Sequence, residues 1–226
     1  MNLMDPMSSL SMDSVFRGYR CLAQKFPDVE DPLNALDSLE HFSEIHESNG
    51  ERLIEIVSSQ YPHPLVADIL RFEIFSLAAA RAESEESVPA EMLEFFSDEQ
   101  WPELLVLFQP SVRRLDSSYD LPQMIAQVCN DDFDIANVEA GTRKNQILVF
   151  KKDREVVSRY MPDDEAAVFD GLLKGENVES VSSSNEMTKA ANDPIGVMVN
   201  FLIKWCQEGL VIDVGVPVPE GVEYVD

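Results

Sequence analysis

Between residues 145 and 214 the hydrophobic period changes in a fixed order, and that order restricts the folds open to the chain more than any other feature. Gln146, Ile147, Leu148, Val149 and Phe150 read as a strand. The polar break Lys151-Lys152-Asp153-Arg154 leads straight into a second strand at residues 155–160, which is a hairpin signature. Pro162 then opens a helix, since a missing N–H costs nothing in the first turn, and Asp163, Asp164 and Glu165 complement the positive end of the helix dipole. Ala166, Phe169, Leu172 and Leu173 recur at helical spacing, and Gly175 supplies the stop. A polar gap at residues 182–186 precedes a second helix, capped by Asp193 with Pro194 in its first turn. Its apolar stripe is Ile195, Met198, Val199, Leu202, Ile203 and Cys206; Gly209 ends it, and residues 210–214 are expected to close the sheet.

This is the element order of a winged-helix module, a shape used both on DNA and on peptides, so charge has to arbitrate. The chain carries 17 basic and 42 acidic residues, a formal balance of −25. Duplex DNA presents one negative charge per roughly 1.7 Å of axis, and binding it requires a dense basic patch. The local basic residues are Arg143, Lys144, Lys151, Lys152, Arg154 and Arg159, a group that a solvated wing would also carry. A DNA-binding regulator is therefore the alternative reading, and the acidic excess favours a basic partner or peptide over nucleic acid or an anionic membrane.

The preceding residues read as mostly helical. Asp13 or Ser14 caps a helix through Phe26, with Val15, Tyr19, Leu22 and Phe26 on one face and Pro27 as its stop. A second helical stretch covers residues 36–59, with a break expected at Asn49-Gly50. A third runs from Pro64 to about Glu83 on an apolar face of Leu65, Ile69, Phe72, Leu77 and Ala80; Arg71 and Glu73 lie among these positions and read as border charges or as members of a core pair. Residues 83–87 form an acidic loop and residues 89–97 a further helix. The run Leu104 to Phe108 is a buried strand or short buried helix, residues 112–115 are extended, and residues 121–129 are helical. The fold class is α+β. Expected domains are a disordered arm (1–12), a helical domain (13–135) whose end falls within 130–142, a winged-helix-like domain (136–216) and a tail (217–226). With 45% apolar residues the chain can bury a proper core, and no apolar run reaches the roughly 20 residues of a bilayer span. Residues 1–12 lack the pattern of a secretory signal, so a cytoplasmic location is expected.

Catalytic chemistry is hard to find. Cys21, Cys129 and Cys206 are scattered and odd in number, and read as reduced thiols; Cys206, beside Trp205 on a helix, reads as a packed small apolar side chain. His41 and His46 are five residues apart, about 140° around a helix, and so do not make a metal pair. His63 sits between two prolines without a nucleophile and acid beside it in sequence. No phosphate-cradling glycine loop or G-x-S-x-G turn is present, and acidic pairs such as Asp131-Asp132 fit solvation and capping. No catalytic residue, metal ligand or cofactor is assigned.

Three segments resemble a bacterial family named for a nominal DNA-binding domain and now associated with peptide-modifying clusters. They are Leu65-Val66-Ala67-Asp68-Ile69-Leu70-Arg71-Phe72-Glu73; Phe108-Gln109-Pro110-Ser111-Val112-Arg113-Arg114-Leu115; and Ile147-Leu148-Val149-Phe150, continuing through Met161-Pro162-Asp163-Asp164-Glu165-Ala166-Ala167 to Trp205-Cys206-Gln207-Glu208-Gly209-Leu210. The first 60 residues depart from the family's usual start. The resemblance implies a non-catalytic partner of a multinuclear non-haem iron-dependent oxidase, of the kind that modifies cysteines in methanobactin-type and 3-thiaglutamate-type ribosomal peptides. Iron would belong to that enzyme, the helical domain would dock on it, and the complex would be a heterodimer. The second domain resembles a leader-recognition element, in which a precursor peptide adds as a strand to the hairpin edge and packs on the last helix. The implied peptide-binding residues are Val156, Val157, Ser158, Arg159 and Tyr160 on the strand, with Val197, Phe201 and Lys204 on the helix.

Overall fold

In the computed structural model the described residues are 16–30, 32, 47–184 and 194–217. The N-terminal arm, the cap at Asp13 or Ser14, His41, His46, the start of the second helix, the cap at Asp193 and the tail past residue 217 lie outside them. The fold is α+β. Its elements are α1 (Arg17–Ala23), α2 (Glu47–Gln60), α3 (Pro64–Arg81), β1 (Leu105–Phe108), β2 (Arg113–Ser117), α4 (Leu121–Gln127), β3 (Asn145–Lys152), β4 (Glu155–Met161), α5 (Asp163–Leu173), α6 (Val178–Ser182), α7 (Pro194–Glu208) and β5 (Val211–Gly215), with short 3-10 turns at Ala90–Phe95, Trp101–Glu103 and Ile135–Asn137.

The chain separates into two compact units that interleave in sequence: Met1–Ala82 with Arg113–Tyr160, and Glu83–Val112 with Met161–Asp226. This division differs from a single boundary within 130–142, and strand pairing explains why. The closing strand β5 was expected to join the hairpin; it pairs antiparallel with β1 instead, Leu105 opposite Gly215 and Leu107 opposite Asp213. The hairpin belongs to a separate sheet of order β2-β3-β4, with Arg113 opposite Val149 and Ser117 opposite Asn145. Each sheet therefore ties together segments distant in sequence.

In the first unit α1, α2 and α3 pack with the sheet around a core that includes Tyr19, Leu22, Val57, Leu65, Ile69, Leu70, Ile147 and Val149. Four consecutive buried residues, Ile147 to Phe150, mark β3 as a strand covered on both faces. Helix α2 runs through Asn49 and Gly50 without the expected break. A helical glycine costs about 1 kcal/mol, which the burial of Leu53, Ile54 and Val57 on the same helix outweighs. His63 closes the start of α3: Nδ1 accepts from the Leu65 N–H at 3.3 Å, and Nε2 lies 3.3 Å from the Val138 carbonyl oxygen. That pairing selects the tautomer with hydrogen on Nε2.

Glu73, ambiguous in sequence, is 6% exposed. Its carboxylate accepts from the backbone N–H groups of Gly18 (2.8 Å) and Tyr19 (3.0 Å). Phe16, the residue before α1, has φ 60° and offers no side-chain cap. Glu73 thus does from α3 what a capping side chain would do locally. Arg71 pairs with Asp68 at 2.9 Å, and the other Asp68 oxygen accepts from Ser117 Oγ at 2.7 Å, joining α3 to β2. Cys21 and Cys129 form a disulfide, which corrects the reduced-thiol expectation. Spacing of 108 residues along the chain hides a Cα–Cα distance of 5.1 Å.

In the second unit Phe108, Phe169 and Trp205 form an aromatic cluster with centroid separations of 4.6, 5.6 and 5.4 Å. The Leu104–Phe108 run is a strand, but alternate rather than fully buried, with Leu105 and Leu107 exposed. The residues expected as a helix at 89–97 form the 3-10 turn Ala90–Phe95. Gly175 (φ 83°) and Gly209 (φ 77°) terminate α5 and α7. At each, the following N–H bonds back five residues, Glu176 to Gly171 and Leu210 to Trp205, which is the Schellman arrangement that favours glycine.

Candidate functional site

The hairpin is built by its turn. Asp153 (φ 50°) and Arg154 (φ 71°) both lie in the left-handed region, as a two-residue type I′ turn requires. That turn sets Lys152 opposite Glu155. Val156 is buried, Val157, Ser158 and Arg159 are half-buried, and Tyr160 is 43% exposed. Among the described residues β4 terminates its sheet, with β3 as its strand neighbour.

Tyr160 is held in place. Its hydroxyl donates to Asp120 Oδ1, and the same carboxylate caps α4 by accepting from the Gln123 N–H at 3.1 Å. Burial, followed by the Asp120 hydrogen bond and charge, raises the phenol's pKa, so it stays a donor. Arg159 Nη1 donates to the Tyr160 carbonyl at 3.2 Å. Lys151 Nζ donates at 3.0 Å to the Ala82 carbonyl, where a cation complements the C-terminal end of α3. Arg143, Lys144, Lys152 and Arg154 are exposed around the hairpin.

The strand and helix residues fall in different units. Val156, Val157, Ser158, Arg159 and Tyr160 belong to the first unit, whereas Val197, Phe201 and Lys204 on α7 belong to the second. Val197 and Phe201 are half-buried, and Phe201 stacks on Trp205 with centroids 5.9 Å apart and an 18° interplanar angle. Lys204 is engaged inside its own unit, donating to Glu165 Oε2 at 2.9 Å. Glu165 is fully buried on α5, and its other oxygen accepts from Trp205 Nε1 at 2.8 Å. Sequence reasoning took Glu165 for a first-turn dipole partner. Its proximity to Trp205 and Lys204 follows only from the packing of α5 on α7.

Cys206 is buried, and desolvation pushes its thiol up to about 11, so it is protonated near neutrality and a poor nucleophile. Among the described residues no group of three or more His, Cys, Asp or Glu side chains could hold a metal ion. None of the described helices is long and apolar enough to cross a membrane. No protein-family model matches the chain, and no curated protein matches its sequence.

Proposed function

We propose that the chain is a non-catalytic partner protein that binds the leader of a ribosomally made precursor peptide and presents it to a multinuclear non-haem iron oxidase for cysteine modification. The observation that carries this reading is the position of β4 at the end of its sheet, with its register pinned by a type I′ turn. A peptide adding there as a strand would gain affinity from backbone pairing and selectivity from alternate side chains. The three segments that resemble peptide-cluster proteins support the same reading. The winged-helix-like grouping of the hairpin with the elements after it, the heterodimer with the oxidase and the cytoplasmic setting are parts of this proposal. Helix residue Lys204 is not assigned to the peptide, because its ammonium serves Glu165.

The test begins with the neighbouring genes, where an oxidase and a short cysteine-containing reading frame are expected. The full chain should co-purify with that oxidase and bind the leader half of that peptide in fluorescence anisotropy. Methylating alternate backbone nitrogens of the peptide should abolish binding in one phase of the alternation and spare it in the other. Equal binding by both methylated forms would overturn strand addition, and absence of the oxidase from the neighbourhood and the purified complex would overturn the partnership. Alkylation in intact cells tests the cytoplasmic part of the proposal: protection of Cys21 and Cys129 by their disulfide would overturn it, since cytosolic thiols are kept reduced.

A further inference from the structure

Helix α4 is too short to hold itself. Its 7 residues fall well below the roughly 12–15 at which an isolated helix becomes even marginal in water, and Leu121 is its one buried residue. Its order therefore depends on anchors at its two ends. At the N-terminal end Asp120 accepts from the Gln123 N–H at 3.1 Å and from the Tyr160 hydroxyl on β4. At the C-terminal end Val128 is buried, and Cys129 is bonded through sulfur to Cys21 of α1.

The bridge is placed to open and close. Cys21 and Cys129 are both half-buried, within reach of a small thiol, whereas Cys206 is buried. Arg17 and Lys25 lie four residues before and after Cys21, so an incoming thiolate approaches beside cations. The two bridged segments also have non-covalent ties. Lys25 Nζ donates to the Phe133 carbonyl at 2.7 Å and lies 5.6 Å from that ring's centroid. Ile125 reaches Gly18 of α1, where an added Cβ would stand 3.5 Å from its Cγ1. With the bridge open, these contacts keep the two thiols close and their effective concentration high.

We infer that the Cys21–Cys129 pair is a reversible redox lock on α4 and, through Asp120, on Tyr160 of the edge strand β4. It opens by exchange with a low-molecular-weight thiol, whose thiolate attacks one sulfur; the S–S bond breaks, and the other sulfur leaves as a thiolate that takes up a proton. A second thiol then attacks the mixed disulfide. The pair gains two electrons and two protons in all, and the reductant departs as its own disulfide. Without the bridge, α4 keeps only Val128 at its C-terminal end, opens more often, and takes Asp120 away from Tyr160 when it does. An oxidised thiol of the same class reverses each step. The effect on leader binding at β4 rests on the function proposed above; the lock itself is read without peptide, so the two fail separately.

The full chain, kept folded, should open its bridge in a reduced-glutathione buffer and close it again in glutathione disulfide, with alkylation and mass spectrometry counting the free thiols. A bridge that yields only after urea unfolding is a fixed staple and overturns the inference. Hydrogen exchange reads the lock. The Met124 and Val128 N–H groups, each bonded at 2.8 Å to the carbonyls of Asp120 and Met124, should exchange about tenfold faster on reduction, without dependence on dilute urea, the mark of local opening. Cys21→Ser/Cys129→Ser should exchange at the reduced rate in both buffers. The β4 amides should also quicken on reduction in wild type and lose that redox response in Tyr160→Phe. Unchanged α4 exchange, or quickening only through urea-dependent global opening, would overturn the lock. A β4 response that persists in Tyr160→Phe would overturn the route through Asp120.

Discussion

Glu73 ties the stability of the first unit to pH in a direction opposite to that of most carboxylates. It is buried on α3 and holds the start of α1 through two N–H groups. Burial raises its pKa from 4.5 to about 7, more than those two bonds and Arg20 lower it. The unfolded chain ionises this carboxyl near 4.5, so between that pH and about 7 the native state binds a proton that the unfolded state has released. Stability linked to this group is therefore complete below about 4.5 and declines as pH rises, until the carboxyl ionises in both states. A difference of about 2.5 units, at 1.36 kcal/mol each, amounts to about 3 kcal/mol. Glu73→Gln resembles the protonated acid at every pH, with one acceptor and one donor group. Urea unfolding of wild type and variant, followed by circular dichroism from pH 4.5 to 8, isolates the effect, because the other carboxylates are common to both. Wild-type stability relative to the variant should fall by about 3 kcal/mol over that range. Parallel curves would show that Glu73 ionises normally, with the Gly18 and Tyr19 N–H groups outweighing burial, and would refute the reasoning.

Arg154→Gly should raise thermal stability by about 0.5–1 kcal/mol: glycine escapes a left-handed strain of about 1–2 kcal/mol at φ 71° and returns part of that as unfolded-state entropy. A lower melting temperature would contradict the turn assignment. Gly171→Ala should destabilise by about 1–3 kcal/mol despite alanine's better helix propensity, because the new Cβ would stand 2.6 Å from Val181 Cγ2; pairing it with Val181→Ala in a double-mutant cycle should recover most of the loss. Cys21→Ser/Cys129→Ser, or reduction, should cost about 4–5 kcal/mol in chemical denaturation, the chain entropy of a loop spanning 108 residues. An equal midpoint for oxidised and reduced protein would exclude that contribution.

The legible part of the fold was the part with local causes. Gly175 and Gly209 were readable as helix stops because positive φ at a helix end has a one-residue signature, and both adopt it. The polar break before Glu155 was readable as a tight turn for the same reason, although Asp153 and Arg154 are a costlier pair than Asn-Gly. Partner choice was not legible. Nothing local to Val211 says that it pairs with Phe108 rather than with the hairpin, since both options satisfy the same alternating pattern. The Cys21–Cys129 bridge and the Glu73 cap are contacts of the same long-range kind. For the candidate site, the strand at residues 155–160 was readable from the polar break before it, whereas the Asp120 partner of Tyr160 and the Glu165 partner of Lys204 depended on helix packing.

Those partners also alter the weight of the basic residues near the hairpin. The six looked like a group available to an anionic ligand, but Lys151 is engaged with the Ala82 carbonyl and Arg159 with the Tyr160 carbonyl. Arg143, Lys144, Lys152 and Arg154 remain as the exposed members, within a unit that holds 21 acidic and 14 basic residues, a balance of −7. Contacts with several phosphates are what give DNA binding its steep salt dependence. Exposed cations at the two ends of the hairpin instead suit a single short segment that pairs through its backbone and carries a few acidic side chains.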